Sequence, residues 1–349
     1  MEIKEISVDH YERVIHGIDP NAGLNAFIAV HCTALGPALG GMRMLPYVSE
    51  AEALEDVTRL AKAMSYKAAV AGTGQGGGKA VIIGDPSQKS ESLLRAMGRL
   101  IESLDGAYIT AEDMNLTVAD LEIVSRETRW VSGLSLESGA SGNPSPMTAV
   151  GCLIGMQTCA RHVFGDPSLE GKTIAIHGVG AVGSILARLC AEENAQVLVA
   201  DIDPEKARGC AADLGVTAIE DAVDLLRIPC DILSPCARGA VFSENSIPDL
   251  NCRIIAGAAN NQLATLEDGD RLAQRGILYA PDYVVNAGGV INLSCEFFPG
   301  GYREDESRRR TQQIGPNLDM VFRMAEEAES STAAAADRLA EQRIARSPE

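Results

Sequence analysis

The sequence predicts an α/β protein of two domains, because its length, its composition and the order of its apolar segments all favour that fold class. The 349 residues suffice for about two domains, each with its own core. The hydrophobic content of 46% and the charged content of 22% are ordinary for a globular protein. Short strand-like segments alternate with helical ones, as in α/β sheets. We place the domains at 1–135 and 136–325, with a helical tail at 326–349 that packs back on the first domain.

Charge and cysteine usage exclude several classes of function. The 30 basic and 48 acidic residues give a net charge of −18, which argues against nucleic acid or an anionic membrane as a partner. The nine cysteines are never spaced C-x-x-C and the five histidines lack ligand spacing, so we expect no metal site. No stretch approaches the roughly 18 apolar residues of a membrane span. The N-terminal residues also lack the apolar core of a signal peptide, and we expect a cytoplasmic protein.

The periodicity of the chain outside the motifs predicts the following elements. Gly36–Met44, GPALGGMRM, is predicted to be a glycine-broken turn, and Ser49 with Glu52 forms a capping box that opens a helix to about Met64. The other predicted strands are Glu2–Val8, Ala26–Thr33, Ala80–Ile83 and Ala107–Thr110. The other predicted helices are Ser90–Leu104, Ala149–His162 and a tail at Ile314–Arg346 that is broken near Ser330. The Ser/Gly/Pro-rich segment 135–148 marks the domain boundary.

The run from Tyr66 to Pro86, YKAAVAGTGQGGGKAVIIGDP, is predicted to bind a carboxylate. Five of the seven residues from Gly72 to Gly78 are glycine, which lets the backbone come close to a small molecule. Lys67 and Lys79 flank this loop, and two ammonium groups there would suit a carboxylate. A desolvated lysine beside another cation also has a lowered pKa, which makes it usable as a base. The alternative is two solvated lysines beside a mobile loop.

Asp113 is a further candidate for the chemistry of this half. It lies just past the predicted strand Ala107–Thr110, where α/β folds tend to hold catalytic groups. The alternative for a single aspartate at this point is the N-cap of the next helix, and the residues alone leave both interpretations open.

Residues 171–203 carry a dinucleotide-binding pattern. A strand at Thr173–His177 leads into Gly178-Val179-Gly180-Ala181-Val182-Gly183, which opens a helix, and a second strand at Gln196–Ala200 ends in Asp201. The first glycine permits the tight turn, the second lets a pyrophosphate approach the helix N-terminus, and the third lets helix and strand pack closely. Asp201 is placed to accept hydrogen bonds from a ribose. Its charge repels a 2′-phosphate, so the sequence favours NAD over NADP.

Four more strands complete a doubly wound, Rossmann-type sheet. They are predicted at Val216–Ile219, Asp231–Ser234, Arg253–Gly257 and Ile277–Ala280. Because the carboxyl ends of such strands line the cofactor crevice, residues that follow them are candidates for cofactor contacts. These candidates are Ile202, Cys236, Ala237, Ala258, Ala259, Asn260 and Asn286.

Seven ordered motifs give the chain a resemblance to the Glu/Leu/Phe/Val amino-acid dehydrogenases over nearly its whole length, most closely to the leucine (branched-chain) type. They are GPALGGMRM (36–44), YKAAVAGTGQGGGKAVIIGDP (66–86), YITAEDMN (108–115), SGNPSPMTAVG (141–151), HGVGAVG (177–183), IAGAANNQL (255–263) and YAPDYVVNAGGVIN (279–292). The resemblance implies oxidative deamination of an L-amino acid to a 2-oxo acid and ammonia with hydride passed to NAD, and the reverse reductive amination. It also implies a homo-oligomer, with catalytic groups in the first domain and a cleft that closes over substrate and cofactor.

The resemblance implies roles for individual residues. Lys67 would hold the substrate α-carboxylate, Lys79 would be the general base that activates water, and Asp113 would exchange protons with the departing amine. Asn260 would contact substrate and cofactor, and Thr148 the nicotinamide amide. Further substrate contacts are expected at Gly40, Gly41 and Met64, and an apolar pocket wall at Leu39, Ala111, Val290 and Leu293.

Leu39 favours an apolar substrate. Glutamate-specific relatives have a lysine at the corresponding position, and burying the second charge of glutamate against leucine would cost several kcal/mol. Leu293 stands where leucine enzymes usually have valine, and Met114-Asn115 where they usually have Val-Gly, somewhat as in aromatic-specific relatives. Leucine, isoleucine and valine therefore stay open as substrates, with a phenylalanine- or tryptophan-type enzyme as the alternative. Arg238 replaces a usual leucine near the cofactor, and its role stays open.

A non-catalytic NAD-binding regulator is the alternative from another class of protein. It would bind NADH without turnover, and a damaged lysine pair or a missing Asp113 would indicate it. Lys67, Lys79 and Asp113 are all intact, which disfavours this alternative.

Overall fold

The computed structural model describes residues 1–237 and 239–346, and it divides the chain into two compact units. Unit 1 comprises Met1–Asn143, Leu293–Glu306 and the described part of Ala340–Glu349. Unit 2 comprises Pro144–Asn292 and Ser307–Leu339. The domain boundaries placed from the sequence stay predictions, and Arg238 lies outside the described residues.

Unit 1 is built on a six-stranded mixed sheet. Its strands are β1 (Glu2–Glu5), β2 (Arg13–Asp19), β3 (Leu24–Cys32), β4 (Ala38–Leu45), β5 (Gly76–Ile83) and β6 (Tyr108–Glu112). They lie in the order β1-β2-β3-β5-β4-β6. The neighbouring pairs β1–β2, β2–β3 and β3–β5 are antiparallel, whereas β4 pairs in parallel with both β5 and β6.

Helices cover both faces of this sheet. They are α1 (Glu50–Ala71), α2 (Glu91–Glu102) and α3 (Val118–Val124). On one face Phe27 and Val81 pack against α1 residues such as Val57. On the other face Ile28 and Ile82 belong to the core with α2 and α3. Since successive side chains of a strand point to opposite faces, β3 and β5 need apolar residues at nearly every position.

The predicted turn at Gly36–Met44 is wrong, because most of this segment is strand β4. The glycines are needed for close approach and do not end the strand. A Cβ atom added at Gly40 would lie 1.8 Å from the carbonyl oxygen of Gly78 on β5. The strand β2 was not predicted at all.

The first helix is longer than predicted, which changes where the two lysines lie. Helix α1 runs past Met64 to Ala71 and ends at Gly72, whose φ of 67° places it in the left-handed region that favours glycine. Lys67 is therefore a helical residue, and Lys79 lies within β5 and not at its edge. A Cβ atom added at Gly77 would lie 2.0 Å from the backbone nitrogen of Ser65, so glycine lets α1 and β5 pack closely.

Unit 2 contains the predicted parallel sheet. Its strands are β7 (Thr173–His177), β8 (Gln196–Ala200), β9 (Thr217–Ala218), β10 (Cys230–Pro235), β11 (Cys252–Ile255) and β12 (Leu278–Tyr279). They lie in the order β12-β11-β10-β7-β8-β9, and every neighbouring pair is parallel. The first three strands run outward from β7 to β9 on one side of the sheet, and the chain then returns to place β10 to β12 on the other side of β7. This reversal of strand order is the topology of a dinucleotide-binding fold. The predicted α/β class with a Rossmann-type sheet is confirmed.

The described part of the chain after residue 143 contains three helices of at least 14 residues and several shorter ones. They are α4 (Ser145–Phe164), α5 (Gly183–Glu192), α6 (Pro204–Leu214), α7 (Ala222–Leu225), α8 (Glu267–Gln274), α9 (Asp282–Val285), α10 (Gly288–Ser294), α11 (Glu304–Thr311), α12 (Ile314–Glu327) and α13 (Thr332–Ala345). Helix α4 begins earlier than predicted, so Thr148 lies in its first turn. Among the helices that the structure describes, none has the length and apolarity needed to cross a membrane.

Candidate active site

Lys79, which is buried, and Asp113, which is partly buried, form an ion pair in unit 1. The Nζ atom of Lys79 lies 2.6 Å from Oδ2 of Asp113, and Lys79 is only 6% exposed. Lys79 lies on β5 and Asp113 directly after β6, the two strands that flank β4. Helix α3 is capped by Thr117, so the interpretation of Asp113 as an N-cap is wrong.

Glycine on β4 leaves the room for this pair. A Cβ atom added at Gly41 would lie 2.7 Å from Cβ of Asp113 and 3.3 Å from Nζ of Lys79. At Gly40 it would collide with the Gly78 carbonyl and lie 3.4 Å from Cγ of Met64. The structure therefore places Gly40 against Gly78 of β5 and Met64 of α1, and Gly41 against Lys79 and Asp113.

A second cation, Arg43, contacts the same carboxylate oxygen. Its Nε atom donates to Oδ2 of Asp113 at 2.8 Å, and its Nη1 atom donates to Oδ2 of Asp56 at 3.2 Å. The hydroxyl of Tyr47 donates to that same atom of Asp56 at 2.7 Å. Sequence reasoning missed Arg43 because the run GPALGGMRM was interpreted as a turn. Because the run is in fact strand β4, side chains two residues apart point to the same face of the sheet, and Arg43 lies on the same face as Gly41.

The surroundings of the ion pair shift both of its pKa values. Burial lowers the pKa of Lys79 below its ordinary value, because desolvation disfavours the ammonium form; Asp113 opposes this shift and Arg43 adds to it. Burial alone would raise the pKa of Asp113, but Lys79 and Arg43 outweigh it and hold the pKa of this carboxyl well below its usual range. The site thus holds a permanent carboxylate beside a lysine that gives up its proton more readily than an exposed one.

The remaining residues predicted to contact substrate lie on several elements. Lys67 is half-buried on α1, eleven residues after Asp56 and so on nearly the same face of the helix. Leu39 on β4 is 0% exposed, and Ala111 on β6 is the register partner of Gly41. Val290 and Leu293 lie on α10, and Cδ2 of Leu293 would be 3.0 Å from a Cβ atom at Gly133.

Met114-Asn115, the departure from the leucine-type Val-Gly, has a backbone explanation. Asn115 has a φ of 63°, and its Nδ2 atom donates to the carbonyl of Met44 at 3.0 Å. Asparagine and glycine are the residues that tolerate this left-handed conformation. The exchange at position 115 is therefore conservative for the backbone.

The Gly178–Gly183 turn in unit 2 has the shape that a pyrophosphate needs. Gly178 has a φ of 101°, and a Cβ atom added at Gly183 would lie 1.9 Å from the carbonyl oxygen of Gly178. At Gly180 there is nothing within 4 Å, so the turn is open at the glycine predicted to meet the ligand. Helix α5 begins here without a side-chain cap. Its first N–H groups and the helix dipole favour an anion.

Asp201 directly follows β8 and lies beside this turn. Its carboxylate accepts hydrogen bonds from the backbone N–H groups of Val179 at 2.9 Å and Asp203 at 3.0 Å. Although burial opposes the shift, these bonds lower the pKa of Asp201 and keep it ionised. Ile202, which follows it, is 90% exposed. An ionised acceptor at this position fits the ribose of a dinucleotide.

The ends of β10 and β11 bring the other cofactor candidates together. Cys236 donates its N–H to the carbonyl of His177 at 2.7 Å, and Ala237 lies against Gly178. Ala258, Ala259 and Asn260 follow β11. The Nδ2 atom of Asn286 donates to Oδ1 of Asn260 at 2.8 Å and to the carbonyl of Ala258 at 3.0 Å.

Three buried side-chain atoms of unit 2 lack a hydrogen-bond partner within the described residues: Nδ1 of His177, Oε1 of Gln262 and Oδ1 of Asn286. The Oδ1 atom of Asn286 is buried and accepts no hydrogen bond there. An orphaned acceptor beside Ala258 and Asn260 fits a bound dinucleotide with hydrogen-bond donors. Thr148 lies on α4, and a Cβ atom at Gly289 would be 2.6 Å from its Oγ1 atom. In the described part of the chain, no group of three or more His, Cys, Asp or Glu residues could hold a metal ion.

Comparisons with known proteins agree on one family. The sequence profile "Glu/Leu/Phe/Val dehydrogenase, dimerisation domain" matches residues 12–130. The profile "Glutamate/Leucine/Phenylalanine/Valine dehydrogenase" matches 139–207 and 199–349. Leucine dehydrogenase of Geobacillus stearothermophilus is 48% identical over 97% of this chain and 93% of its own length. Valine dehydrogenase of Streptomyces coelicolor is 47% identical over 96% of this chain and 92% of its own.

A solved structure gives the same assignment. The crystal structure of L-tryptophan dehydrogenase from Nostoc punctiforme matches with a TM-score of 0.83 and 39% identity, covering 97% of each chain. The resemblance found in the motifs is confirmed. The chain belongs to the Glu/Leu/Phe/Val dehydrogenase family, a family of NAD(P)-dependent amino-acid dehydrogenases.

Proposed function

We propose that the protein catalyses the NAD-dependent oxidative deamination of a branched-chain L-amino acid, leucine together with valine and isoleucine, and the reverse reductive amination. The observation that carries the proposal is the Lys79–Asp113 pair, in which a buried lysine with a lowered pKa contacts an ionised carboxylate. Similarity to leucine and valine dehydrogenases at 48% and 47% identity supports the branched-chain substrate class.

In this proposal the chain's own residues bind the substrate and move its protons. Lys67 binds the α-carboxylate of the amino acid. Bound NAD supplies the acceptor for the hydride. The neutral amine of Lys79 takes a proton from the water that attacks the imino carbon of the substrate. Asp113, which is ionised at rest, takes the proton of the hydroxyl group formed by that attack and passes it to the amine, so that the C–N bond breaks and the 2-oxo acid and ammonia are released.

The substrate pocket is proposed to be apolar. Leu39 is fully buried and offers no charge to a second carboxylate, so glutamate would lose the solvation of its side chain without gaining a partner. An aromatic amino acid is the second candidate, because the chain is similar in structure to a tryptophan dehydrogenase.

Initial rates of NADH formation with a panel of L-amino acids test this proposal. We expect the highest kcat/KM with leucine, valine or isoleucine, lower values with phenylalanine and tryptophan, and the lowest with glutamate. Faster turnover of tryptophan than leucine would transfer the proposal to the aromatic candidate. Faster turnover of glutamate would contradict the role of Leu39.

The choice of NAD over NADP is proposed to depend on Asp201. Asp201→Asn removes the charge that would accept from the ribose hydroxyls and repel a 2′-phosphate. Because a charged hydrogen bond contributes about 1.5–3 kcal/mol, we expect KM for NAD to rise about 10- to 100-fold while kcat/KM for NADP increases. Glu192→Gln, an exposed acid at the end of α5, is the matched control and should change neither value. Unchanged KM values in Asp201→Asn would contradict this role.

The rate of deamination is expected to rise with pH. The base must be neutral, and below the pKa of Lys79 its neutral fraction falls about tenfold per pH unit. Burial lowers that pKa from 10.5, so the rise should occur at a lower pH than for an ordinary lysine while the optimum stays alkaline. Initial rates measured from about pH 6 to about pH 11 test this. An optimum clearly below neutrality would count against Lys79 as the base.

We also propose a homo-oligomer that functions in the cytoplasm. The profile that matches residues 12–130 is described as a dimerisation domain. The nine cysteines carry thiols and not disulfides, as is usual in a reducing compartment. Light scattering that returned the 36.8 kDa mass of a single chain would contradict the oligomer.

A further inference from the structure

The Asp113 carboxylate is shared by two cations at one oxygen atom. Lys79 Nζ lies 2.6 Å from Oδ2 and Arg43 Nε lies 2.8 Å from the same atom. The side chains of Lys79 and Arg43 are 7% and 13% exposed, so both contacts are largely shielded from water. Charges in such surroundings interact much more strongly than exposed ones.

Arg43 also contacts a second carboxylate, that of Asp56. Its Nη1 atom donates to Asp56 on α1, and Asp56 also accepts from the hydroxyl of Tyr47. Burial and Asp56 raise the pKa of Tyr47, so its hydroxyl stays protonated and keeps donating. The guanidinium therefore bridges two carboxylates, which a lysine could not do in the same geometry.

The charged groups that act on Lys79 lie on neighbouring elements: Arg43 on β4, Asp56 on α1 and Asp113 directly after β6. On β3, which pairs with β5 at Lys79, one titratable side chain is His31, and its Nδ1 atom contacts Oγ of Ser65 at 2.8 Å. Lys79 and Arg43 share one atom, Oδ2 of Asp113, as the partner of both cations. Arg59 contacts the other oxygen of Asp56 at 2.8 Å and is 54% exposed.

We propose that Arg43 is a positioning residue for the reaction at Lys79. It orients the Asp113 carboxylate toward the lysine nitrogen and keeps that carboxylate paired when Lys79 gives up its proton. Without Arg43, deprotonation of Lys79 would leave a partly buried carboxylate, 24% exposed, with no cation, which is unfavourable. Arg43 thus lets the base become neutral while Asp113 stays ionised. This inference rests on the proposed function of Lys79 and adds a residue to it.

The pH profile of kcat/KM for leucine in Arg43→Met tests the inference. Met is close to Arg in length but neutral, so Asp113 would pair with Lys79 alone and stabilise its charged form. We expect the acid limb of the profile to move to higher pH by about one unit or more, with an approximately tenfold or larger loss of rate on that limb. A role in folding alone would lower the rate equally at every pH.

Two further variants define the effect. Arg43→Lys keeps the buried charge but cannot bridge both carboxylates, so we expect the limb to return part of the way to its wild-type position. It is also the variant to use if Arg43→Met does not fold. Arg59→Met removes an arginine from the same Asp56 without touching Asp113, and its limb should coincide with that of the wild type. An unmoved limb in the Arg43 variants, or an equal shift in Arg59→Met, would overturn the inference.

A second readout separates this inference from the proposed function. The pH at which Lys79 is half-reactive toward acetic anhydride, read by peptide mass spectrometry, requires no turnover. This midpoint should rise in Arg43→Met whether or not any amino acid tested is a substrate. A raised midpoint without turnover of any amino acid would contradict the proposed function and leave the inference about Arg43 intact. Turnover of an amino acid by the wild type, together with an unchanged Lys79 midpoint in Arg43→Met, would contradict only the inference about Arg43.

Discussion

Replacing Lys79 by methionine is expected to lower kcat for deamination by about 10³- to 10⁴-fold, the larger part of what a general base contributes. KM for the amino acid should change little, because Lys79 is proposed to act on water and not to hold the substrate carboxylate. The variant should fold, since Asp113 keeps Arg43 as a partner at 2.8 Å. Steady-state rates of NADH formation, with NADH binding measured by fluorescence, check both statements.

A matched control for this variant exists in the same unit. Lys89 also lies 2.6 Å from an aspartate oxygen, that of Asp120, which belongs to the cap of α3. Lys89→Met removes an equally close ion pair away from the proposed chemistry, and kcat should stay within about twofold of the wild type. If Lys79→Met kept more than about a tenth of the wild-type kcat, general-base catalysis by Lys79 would be contradicted.

Replacing Leu39 by lysine is expected to reverse the choice between apolar and acidic substrates. Leu39 is 0% exposed, so a lysine there is a buried cation that only a second carboxylate could pair. With leucine bound the charge stays unpaired at a cost of several kcal/mol, and kcat/KM for leucine should fall about 10³-fold. Activity with glutamate should rise from its wild-type level. The panel of amino-acid rates, repeated on the variant, gives both values.

Leu39→Met controls for the change of shape at this position. The exchange of leucine for methionine conserves volume and usually costs less than about 1.5 kcal/mol, so leucine should remain the better substrate. Equal kcat/KM for leucine in Leu39→Lys and Leu39→Met would show that position 39 does not line the substrate pocket.

The sheet of unit 2 was predictable because its signals are local. Each strand is a short apolar run bounded by glycine or polar residues, and the Gly178–Gly183 turn with Asp201 requires no knowledge of distant contacts. The centres of these strands are buried and apolar, as at Ile174, Ala175 and Ile176 of β7, which makes them easy to recognise.

The sheet of unit 1 was harder to predict because its glycines serve tertiary packing. Glycine in a sequence indicates a turn unless something else requires a missing side chain. At Gly40, Gly41 and Gly77 that requirement comes from β5, from the Lys79–Asp113 pair and from α1, none of which is adjacent in sequence. Assigning β4 to a turn then hid Arg43, whose relation to Gly41 depends on the alternation of a strand.

The sequence indicated the candidate residues Lys79 and Asp113 even though it did not indicate the strand β4 that lies between them. Lys79 and Asp113 were chosen separately from the sequence, and the structure brings them into contact at 2.6 Å. The crowding cation was expected to be Lys67, whereas the structure places Arg43 on the shared carboxylate. Residue type and motif spacing can indicate a lysine base, but which cation reaches it depends on the register of β4 against β5 and β6.

The most direct test of this account is the protonation of Lys79 in the resting protein. Trace acetylation with acetic anhydride across a range of pH, followed by peptide mass spectrometry, compares Lys79 with the exposed Lys4 in the same sample. The account predicts that Lys79 reaches half of its maximal reactivity at a lower pH than Lys4, because burial and Arg43 disfavour its charge. A midpoint for Lys79 equal to or above that of Lys4 would mean that Asp113 holds the ammonium form, and this lysine could not serve as the base.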